Sequence, residues 1–206
     1  MSIKEITTSN RTERKKEETR QKVISVAMQL FKQNGLEATT MEQIAEVADI
    51  AKGTLYNYFP AKEAIIHEYI DRVSREKNAA RIERLHELPD TRTRMVDSLS
   101  ELMAAVQAQK EFFEKYLVYQ VKNIITLRRD ATPPSGFSLL AAEIIRLGQE
   151  NGEIRRDMPL HILVALVEFV FIEVTQQFYS EPESFNSAEV IEQCVDLFLN
   201  GVKPSK

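Results

Sequence analysis

Residues 40–62 read TMEQIAEVADIAKGTLYNYFPAK and contain two short helical patterns separated by a tight junction. In the first pattern, Thr40 occupies an N-cap position and a glutamine follows three residues later, the spacing of a capping box. Asp49, at the junction, belongs to the few residue types besides glycine that tolerate a left-handed backbone. In the second pattern, Leu55 and Phe59 lie four residues apart and share a face. The stretch therefore predicts a helix-turn-helix, whose second helix enters the major groove of DNA.

The apolar positions of this stretch predict how its two helices pack. Ile44, Val47 and Ala48 recur at helical spacing, small Ala45 permits close approach of a crossing helix, and Ile50 fills the corner between the helices. An ordinary helical hairpin would explain these positions equally well. It does not explain why one short helix carries so many polar and aromatic side chains, namely Lys52, Thr54, Tyr56, Asn57 and Tyr58.

The segment KGTLYNYF, with Thr40 before it and Lys62 after it, resembles the DNA-binding domain of the TetR family of bacterial transcriptional regulators. The resemblance is specific over about residues 15–75 and only architectural beyond them. It implies an all-α fold of about nine helices, with an N-terminal three-helix helix-turn-helix domain and a larger C-terminal helical domain for dimerisation and ligand binding. It also implies DNA contacts, which carried over position by position fall on Thr40, Lys52, Gly53, Thr54, Tyr56, Asn57, Tyr58 and Lys62.

Each of these side chains has a role that its chemistry favours. Thr40 offers its hydroxyl or the helix N-terminus to a phosphate. Lys52, Thr54 and Asn57 are expected to read base edges. The hydroxyls of the two tyrosines are expected to reach phosphates, and Lys62 to pair with the DNA backbone as a point charge. The family commonly has Gly at the turn and small hydroxyl residues before the third and fourth helices, where this chain has Asp49, Ala51 and Ala61. The two alanines remove a side-chain cap and a possible phosphate contact at each position.

Three segments are expected along the chain: a disordered polar arm over residues 1–13, the DNA-binding domain over 14–75 and the C-terminal domain over 76–206. The first helix is predicted to begin near Glu17. Residues 1–80 hold 13 Lys and Arg against 12 Asp and Glu, whereas the whole chain carries a net charge of −4. The basic residues are therefore concentrated toward the end that carries the helix-turn-helix.

No feature of the sequence assembles into a catalytic or metal site. The chain has no glycine-rich phosphate loop, no HExxH motif and no cluster of Cys and His, and its single cysteine suits a reducing cytoplasm. The apolar run over residues 162–167 is too short to span a membrane and is interrupted by Glu168. We therefore expect a cytoplasmic protein without cofactor, metal, membrane partner or enzymatic activity. The alternative is a helical ligand-binding protein or an enzyme with no role on DNA.

The last two predicted helices carry more apolar surface than one protomer needs. The helix over about residues 159–179 is apolar on nearly every side, and the final helix begins at Ser187. Family resemblance implies that both contribute to a four-helix homodimer interface. A monomer with a larger core is the alternative. The expected interface residues on the final helix are Val190, Ile191, Cys194, Leu197 and Phe198.

Resemblance to the family also implies a cavity for a small-molecule effector inside each C-terminal domain. Soft or aromatic side chains on the helices around it are candidates for its lining, although each, taken alone, is more often a core residue than a ligand contact. Glu168 and Glu173 interrupt an apolar helix, and a carboxylate facing a cavity could receive a cationic or hydroxylated ligand. The same two residues could instead lie at the margin of the dimer interface. The expected ligand-contacting set is Met103, Phe113, Tyr116, Tyr119, Phe169 and Glu173.

Overall fold

The computed structural model describes residues 3–125 and 134–202, and these residues form nine α-helices without a strand. The helices are α1 (Ile3–Asn34), α2 (Met41–Val47), α3 (Lys52–Tyr58), α4 (Lys62–Glu87), α5 (Thr91–Ala108), α6 (Lys110–Ile125), α7 (Gly136–Glu150), α8 (Leu160–Ser180) and α9 (Ser187–Val202). The all-α class and the helix count expected from the sequence are confirmed.

The first helix begins much earlier than the sequence suggested. α1 starts at Ile3, so residues 3–13 are helical rather than disordered, and the expected helix start near Glu17 is wrong. Residues 1 and 2 of the expected arm lie outside the described residues. Residues 3–18 contain neither Gly nor Pro, and the ion pairs Arg14–Glu18 and Lys16–Glu13 link neighbouring turns of the helix. Because this segment lacks apolar periodicity, its helical tendency left no signal in the hydrophobic pattern.

The chain divides into two compact units. The first comprises the residues up to Ile70 together with Val118–Ile125, and the second comprises Asp71–Leu117 with the described residues after position 133. Within the first unit, α1 packs on α2 and α2 packs on α3. Within the second unit, α5, α7, α8 and α9 pack around one apolar core that also includes Leu85 of α4. The sequence placed the boundary at residue 75, further along α4.

The end of α4 is fixed by a buried arginine. Arg94, on α5, is 4 % exposed and donates from Nε to the carbonyl of Leu85 at 2.9 Å and from Nη2 to that of Leu88 at 2.7 Å. The guanidinium thus caps carbonyls at the C-terminus of α4, of which that of Leu85 also accepts from the N–H of Leu88 at 3.3 Å. The sequence signal here was the Pro89-Asp90 break, and Asp90 accepts from the backbone N–H of Thr93 at 2.7 Å to begin α5.

Helix α8 is longer than the apolar run that the sequence emphasised. It continues through Glu168 to Ser180, and its length and composition alone would allow it to cross a membrane. A core helix of a soluble protein can meet the same two criteria, so this is weak evidence for a membrane role. Leu163, Val167 and Phe171 are buried in the core of the second unit, which accounts for one side of the helix.

Candidate DNA-recognition surface

Helix α2 begins at the capping box that the sequence predicted. The backbone N–H of Gln43 donates to the Thr40 hydroxyl at 3.2 Å, and the backbone N–H of Thr40 donates to the Gln43 side-chain oxygen at 2.9 Å. Two of the unpaired backbone donors at the helix start are satisfied in this way. The hydroxyl of Thr40 still carries its own proton, which remains available to an external acceptor such as a phosphate.

The turn between α2 and α3 depends on a left-handed residue. Asp49 has a φ of 52° and is the only non-glycine residue with positive φ in the described part of the chain. Its N–H donates to the carbonyl of Glu46 at 3.0 Å, and the N–H of Ile50 donates to that of Ala45 at 3.0 Å. Both bonds close the C-terminus of α2 and redirect the chain into α3. The predicted conformation of Asp49 is therefore confirmed.

The inner faces of the two helices form a small apolar contact. Ile44 and Leu55 are fully buried, and Phe59 is 1 % exposed. Ala45 and Ala48 are also buried, which agrees with the close approach inferred from their size. Val47 departs from the prediction, because 55 % of its surface is exposed. Val47 follows Ile44 at helical spacing, but its side chain points away from the core.

The outer face of α3 presents the residues expected to contact DNA. Lys52, Gly53, Thr54 and Asn57 are exposed, as is Tyr56 at 40 %, while Tyr58 is half-buried. A β-carbon built on Gly53 would meet no atom within 4 Å. Internal packing therefore does not require glycine at this position, whereas close approach to another surface would.

Lys52 has a partner within the helix-turn-helix. Its ammonium forms an ion pair with the carboxylate of Glu42 on α2 and lies 5.9 Å from the ring centroid of Tyr56. The side chains of the pair are 60 % and 53 % exposed. A hydrogen bond and the opposite charge raise the pKa of Lys52, and the hydrogen bond from Lys52 lowers the pKa of Glu42. The pair holds Lys52 at the start of α3 but also places an anion close to the recognition helix.

Lys62 is engaged by the protein's own backbone. Its ammonium donates to the carbonyl of Leu36 at 2.8 Å and approaches that of Glu37 at 3.5 Å. The lysine thus ties the start of α4 to the loop between α1 and α2. Its pairing with the DNA backbone as a point charge stays a prediction, because the ammonium keeps its charge although at least one of its donors is already in use.

Two contacts that the sequence did not reveal join distant segments of the first unit. Arg20 on α1 binds Glu68 on α4 through Nε, at 3.1 Å to both carboxylate oxygens, and its guanidinium carbon lies 5.1 Å from the ring centroid of Phe59. His67 lies 2.6 Å from the side-chain oxygen of Gln120 on α6. Because these partners are about 50 residues apart, no local pattern could have identified them.

Comparison with known proteins agrees with this geometry. Residues 23–69 match the family model described as bacterial regulatory proteins, tetR family. The chain's N-terminal domain belongs to the TetR family. The chain is 24 % identical over 196 residues to the HTH-type transcriptional repressor KstR2 of Mycolicibacterium smegmatis, covering 91 % of this chain and 92 % of that protein. It is 25 % identical over 175 residues to the HTH-type transcriptional regulator UidR of Escherichia coli K12, covering 81 % and 87 %.

A solved TetR-family structure has a similar fold. The transcriptional repressor FadR of Thermus thermophilus, crystallised with lauroyl-CoA, superimposes with a TM-score of 0.68 at 23 % identity, over 91 % of this chain and 96 % of that chain. The relatives named here are regulators rather than enzymes. With this TetR-type domain, the protein is a DNA-binding transcriptional regulator.

The residues expected at a dimer interface fall into two groups on α9. Ile191, at 0 % exposure, and Phe198, at 9 %, pack in the core of their own protomer, so their assignment to the interface is wrong. Leu197 is 78 % exposed, whereas Val190 and Cys194 are partly buried beside the core. Val190, Cys194 and Leu197 are spaced four and three residues apart and form one stripe along α9. Each lies one position before a residue of the stripe that faces the core. The sequence prediction combines these two stripes into one and assigns all five residues to the interface.

The residues expected to contact a ligand do not form one group. Met103 is 1 % exposed within the apolar core, and Phe113 packs beside that core. Tyr116 is buried in the second unit, but Tyr119 belongs to the first unit, where its ring lies 5.2 Å from that of His67.

Phe169 and Glu173 both point outward on α8. Phe169 is 54 % exposed, so its placement in a cavity lining is wrong. Glu173 is exposed but lines a surface groove together with Gln177 and Glu189, so its role as a ligand contact stays a prediction. The carboxylate that turns inward on α8 is Glu168, which accepts a hydrogen bond from the hydroxyl of Ser138. The sequence could not distinguish the two glutamates, because α8 is apolar on nearly every side. Such a pattern does not show which face of the helix points to the core.

Proposed function

We propose that this TetR-family regulator is a cytoplasmic homodimeric repressor, which binds a near-palindromic operator through α3 of each protomer and leaves it when a small-molecule effector binds. Residues 14–75 provide DNA binding, and residues 76–206 provide dimerisation and effector binding. The observation that carries the proposal is the division of α3 between its faces. Leu55 is buried on the inner face of α3. The other face is exposed and carries Lys52, Gly53, Thr54 and Asn57.

On the operator, the residues of α3 have separate tasks. Thr54 and Asn57 are short, exposed and able to both donate and accept hydrogen bonds, which suits contact with base edges. Tyr56 and Tyr58 reach further and suit phosphate oxygens. Lys52 supplies positive charge once it separates from Glu42. The Thr40 hydroxyl and the N-terminus of α2 suit a phosphate beside the groove.

Dimerisation is supported by the outward face of α8. Ile162, Leu166 and Phe169 follow each other at spacings of four and three residues and are 38 %, 40 % and 54 % exposed. Leu197 of α9 adds a fourth exposed apolar side chain. A contiguous apolar face on a soluble protein marks a contact site. In a two-fold dimer, such a face pairs with its own copy and would place two recognition helices about 34–36 Å apart, one DNA turn.

Release by an effector is supported by the likeness to FadR of Thermus thermophilus, whose structure contains lauroyl-CoA. An effector acts on operator binding only if it prefers one of two dimer geometries. Helix α4 is the natural connection, because it contributes residues to both compact units. The coupling is reciprocal: the effector lowers operator affinity by the same factor by which the operator lowers effector affinity.

A footprinting experiment on the DNA flanking the protein's own gene tests the repressor proposal. The wild type should protect a near-palindromic site, and the combined Lys52→Ala, Thr54→Ala and Tyr56→Ala variant should lose that protection. Lys77→Ala is a control, since Lys77 is an exposed cation on α4 outside the proposed surface. Retention of full protection by the triple variant would contradict the assignment of α3 as the reading helix.

A further inference from the structure

The first turn of α7 is held tightly by α4. Asp71 accepts from the N–H of Gly136 at 2.7 Å, and the Asn78 side-chain amide donates to the Gly136 carbonyl at 2.7 Å. A β-carbon on Gly136 would lie 2.6 Å from the Ser74 hydroxyl, so the two helices approach through the space that glycine leaves. Ser135 caps the same turn by accepting from the N–H of Ser138 at 3.0 Å.

One buried acceptor beside this turn has no protein partner. Asn78 is 5 % exposed, and its side-chain oxygen makes no hydrogen bond within the described part of the chain. The amide cannot be reversed to satisfy that oxygen, because its nitrogen is the group that donates to Gly136. Buried acceptors are nearly always satisfied, so a donor from outside the described protein atoms is expected here.

A second acceptor reaches the same turn from α8. The Ser138 hydroxyl donates to one carboxylate oxygen of Glu168, and among the described residues no cation pairs with this carboxylate. Burial raises the pKa of Glu168, against the opposing effect of the hydrogen bond from Ser138. Burial, followed by the charges of Asp71 and Glu168, raises the pKa of the Tyr116 hydroxyl.

Aromatic surface adjoins these polar groups. Phe137 precedes Ser138 on α7 and its ring centroid lies 5.0 Å from that of Phe171, one turn along α8 from Glu168. An apolar wall with a few converging polar groups is the usual composition of a small-molecule site. An unpaired, half-buried carboxylate within it is a candidate for binding rather than for stability, since it weakens the folded state when it ionises.

We propose that Glu168, Ser138 and the Asn78 oxygen form the polar end of the effector site and select a ligand with a hydrogen-bond donor, either an ammonium or a hydroxyl group, on an apolar body. This inference rests on the proposed effector response and adds the chemical class of the effector. Glu168 and Asn78 offer acceptors to the ligand, whereas Asp71 is already occupied by Gly136 and by Arg75 at 2.8 Å. A carboxylate ligand would meet like charge at Glu168 and no compensating cation.

Three probes that differ only at the polar end test this selection: 3-phenylpropylamine, 3-phenylpropan-1-ol and 3-phenylpropanoate. Calorimetric titration of the full-length protein should show the amine binding most tightly, the alcohol next and the acid at least about tenfold more weakly than the amine. Glu168→Gln keeps the shape and an acceptor for Ser138 but removes the charge. This substitution should lower the affinity for the amine by at least about tenfold and change the affinity for the alcohol by less than about threefold.

Glu173→Gln is the matched control, because it removes the same charge from the exposed side of the same helix, where Glu173 lines a separate surface groove that does not include Glu168. It should leave the order and affinities of the probes unchanged. The proposal is overturned if the acid binds as tightly as the amine, if Glu168→Gln retains the preference for the amine, or if the wild type binds none of the probes. Thermal unfolding of each variant establishes that it is folded.

Operator binding of the same samples separates this inference from the proposed function. Glu168→Gln should bind the operator as tightly as the wild type when no probe is present, because Glu168 lies in the second unit and not on α3. If the wild type does not bind the operator but still discriminates among the probes, the repressor proposal is contradicted and the inference about Glu168 stands. Normal operator binding with no selectivity among the probes would contradict only the inference about Glu168.

Discussion

The ammonium of Lys52 on α3 pairs with the carboxylate of Glu42 on α2, so the recognition helix carries its own counter-ion in the free protein. Exposed pairs of this kind contribute little to stability. Their effect on DNA binding is larger in principle, because a phosphate must compete with Glu42 for Lys52 and is itself repelled by the carboxylate. We therefore expect the pair to weaken affinity for all DNA sequences alike and to leave more of the discrimination to uncharged contacts.

Neutralising Glu42 should strengthen DNA binding. We expect Glu42→Gln to raise affinity for operator and non-operator DNA by about three- to tenfold at low salt, because Lys52 becomes free and one repulsive charge is removed. Fluorescence anisotropy at several salt concentrations measures this. Glu46→Gln removes an equal charge one turn further along α2 and serves as the control. Equal effects of the two substitutions would show that the pair with Lys52 has no specific role.

Substitution of Gly53 should change stability and DNA affinity in opposite directions. Its β-carbon position is open, so Gly53→Ala should raise the free energy of unfolding by about 0.5–1 kcal/mol through helix propensity. The added methyl group lies on the surface assigned to DNA, and we expect operator affinity to fall at least about tenfold because the helix can no longer approach as closely. Denaturant unfolding and anisotropy measure the two quantities. Undiminished affinity would indicate that Gly53 does not face the groove.

Lys62 should matter more for folding than for the salt dependence of DNA binding. Lys62→Met removes the donor to the Leu36 carbonyl but keeps an apolar stem, and should lower the free energy of unfolding by about 1 kcal/mol. The slope of log affinity against log salt should change less than it does for Lys52→Met. A full unit of change in that slope with unaltered stability would instead support the phosphate contact expected for Lys62 from the sequence.

The helix-turn-helix could be predicted because its determinants are local. The Thr40 capping box, the left-handed Asp49 and the buried pair Leu55 and Phe59 each depend on residues within one or two turns of one another. Propensity, capping and hydrophobic spacing all act at that range, and here they agree.

The remaining features depend on contacts between distant residues or on helical phase. The partners of Lys62 and Arg20 lie 26 and 48 residues away in sequence, beyond any local pattern. On α9, Ile191 and Val190 differ by one position, and apolar residues at both made the stripe too wide to orient. The early start of α1 was missed for a different reason: its first turns form a helix without any apolar stripe that a sequence pattern could detect.

The outward stripe of α9 should control association, and the inward stripe should control folding. We expect Leu197→Glu to dissociate the dimer at micromolar concentration, because a buried unpaired charge is costly, while leaving protomer stability almost unchanged. Ile191→Ala should instead lower protomer stability by about 2–4 kcal/mol and leave association unaltered. Sedimentation and denaturant unfolding distinguish the outcomes. A wild type that sediments as a monomer would contradict the dimer, and dissociation by Ile191→Ala alone would contradict the assignment of the two stripes.

Glu168 should make stability depend on pH in the direction opposite to that of a typical paired carboxylate. Burial raises its pKa in the folded protein above the ordinary value of 4.5, so the folded state takes up this proton more readily than the unfolded state does. At pH values above the raised pKa, the ionised side chain destabilises the fold. That cost disappears as the pH falls through the raised pKa toward 4.5, where both states hold the proton.

Glu168→Gln should therefore unfold at a higher temperature than the wild type at about pH 8, and the difference should vanish by about pH 4. The glutamine oxygen still accepts from Ser138, so the comparison isolates the charge. Thermal unfolding followed by circular dichroism across this range provides the measurement, with Glu173→Gln as the control for net charge. Because Glu173 is exposed, its substitution should shift the midpoint little at either pH. A stabilisation by Glu168→Gln that stays constant down to about pH 4 would show that packing, and not the buried charge, distinguishes the two side chains.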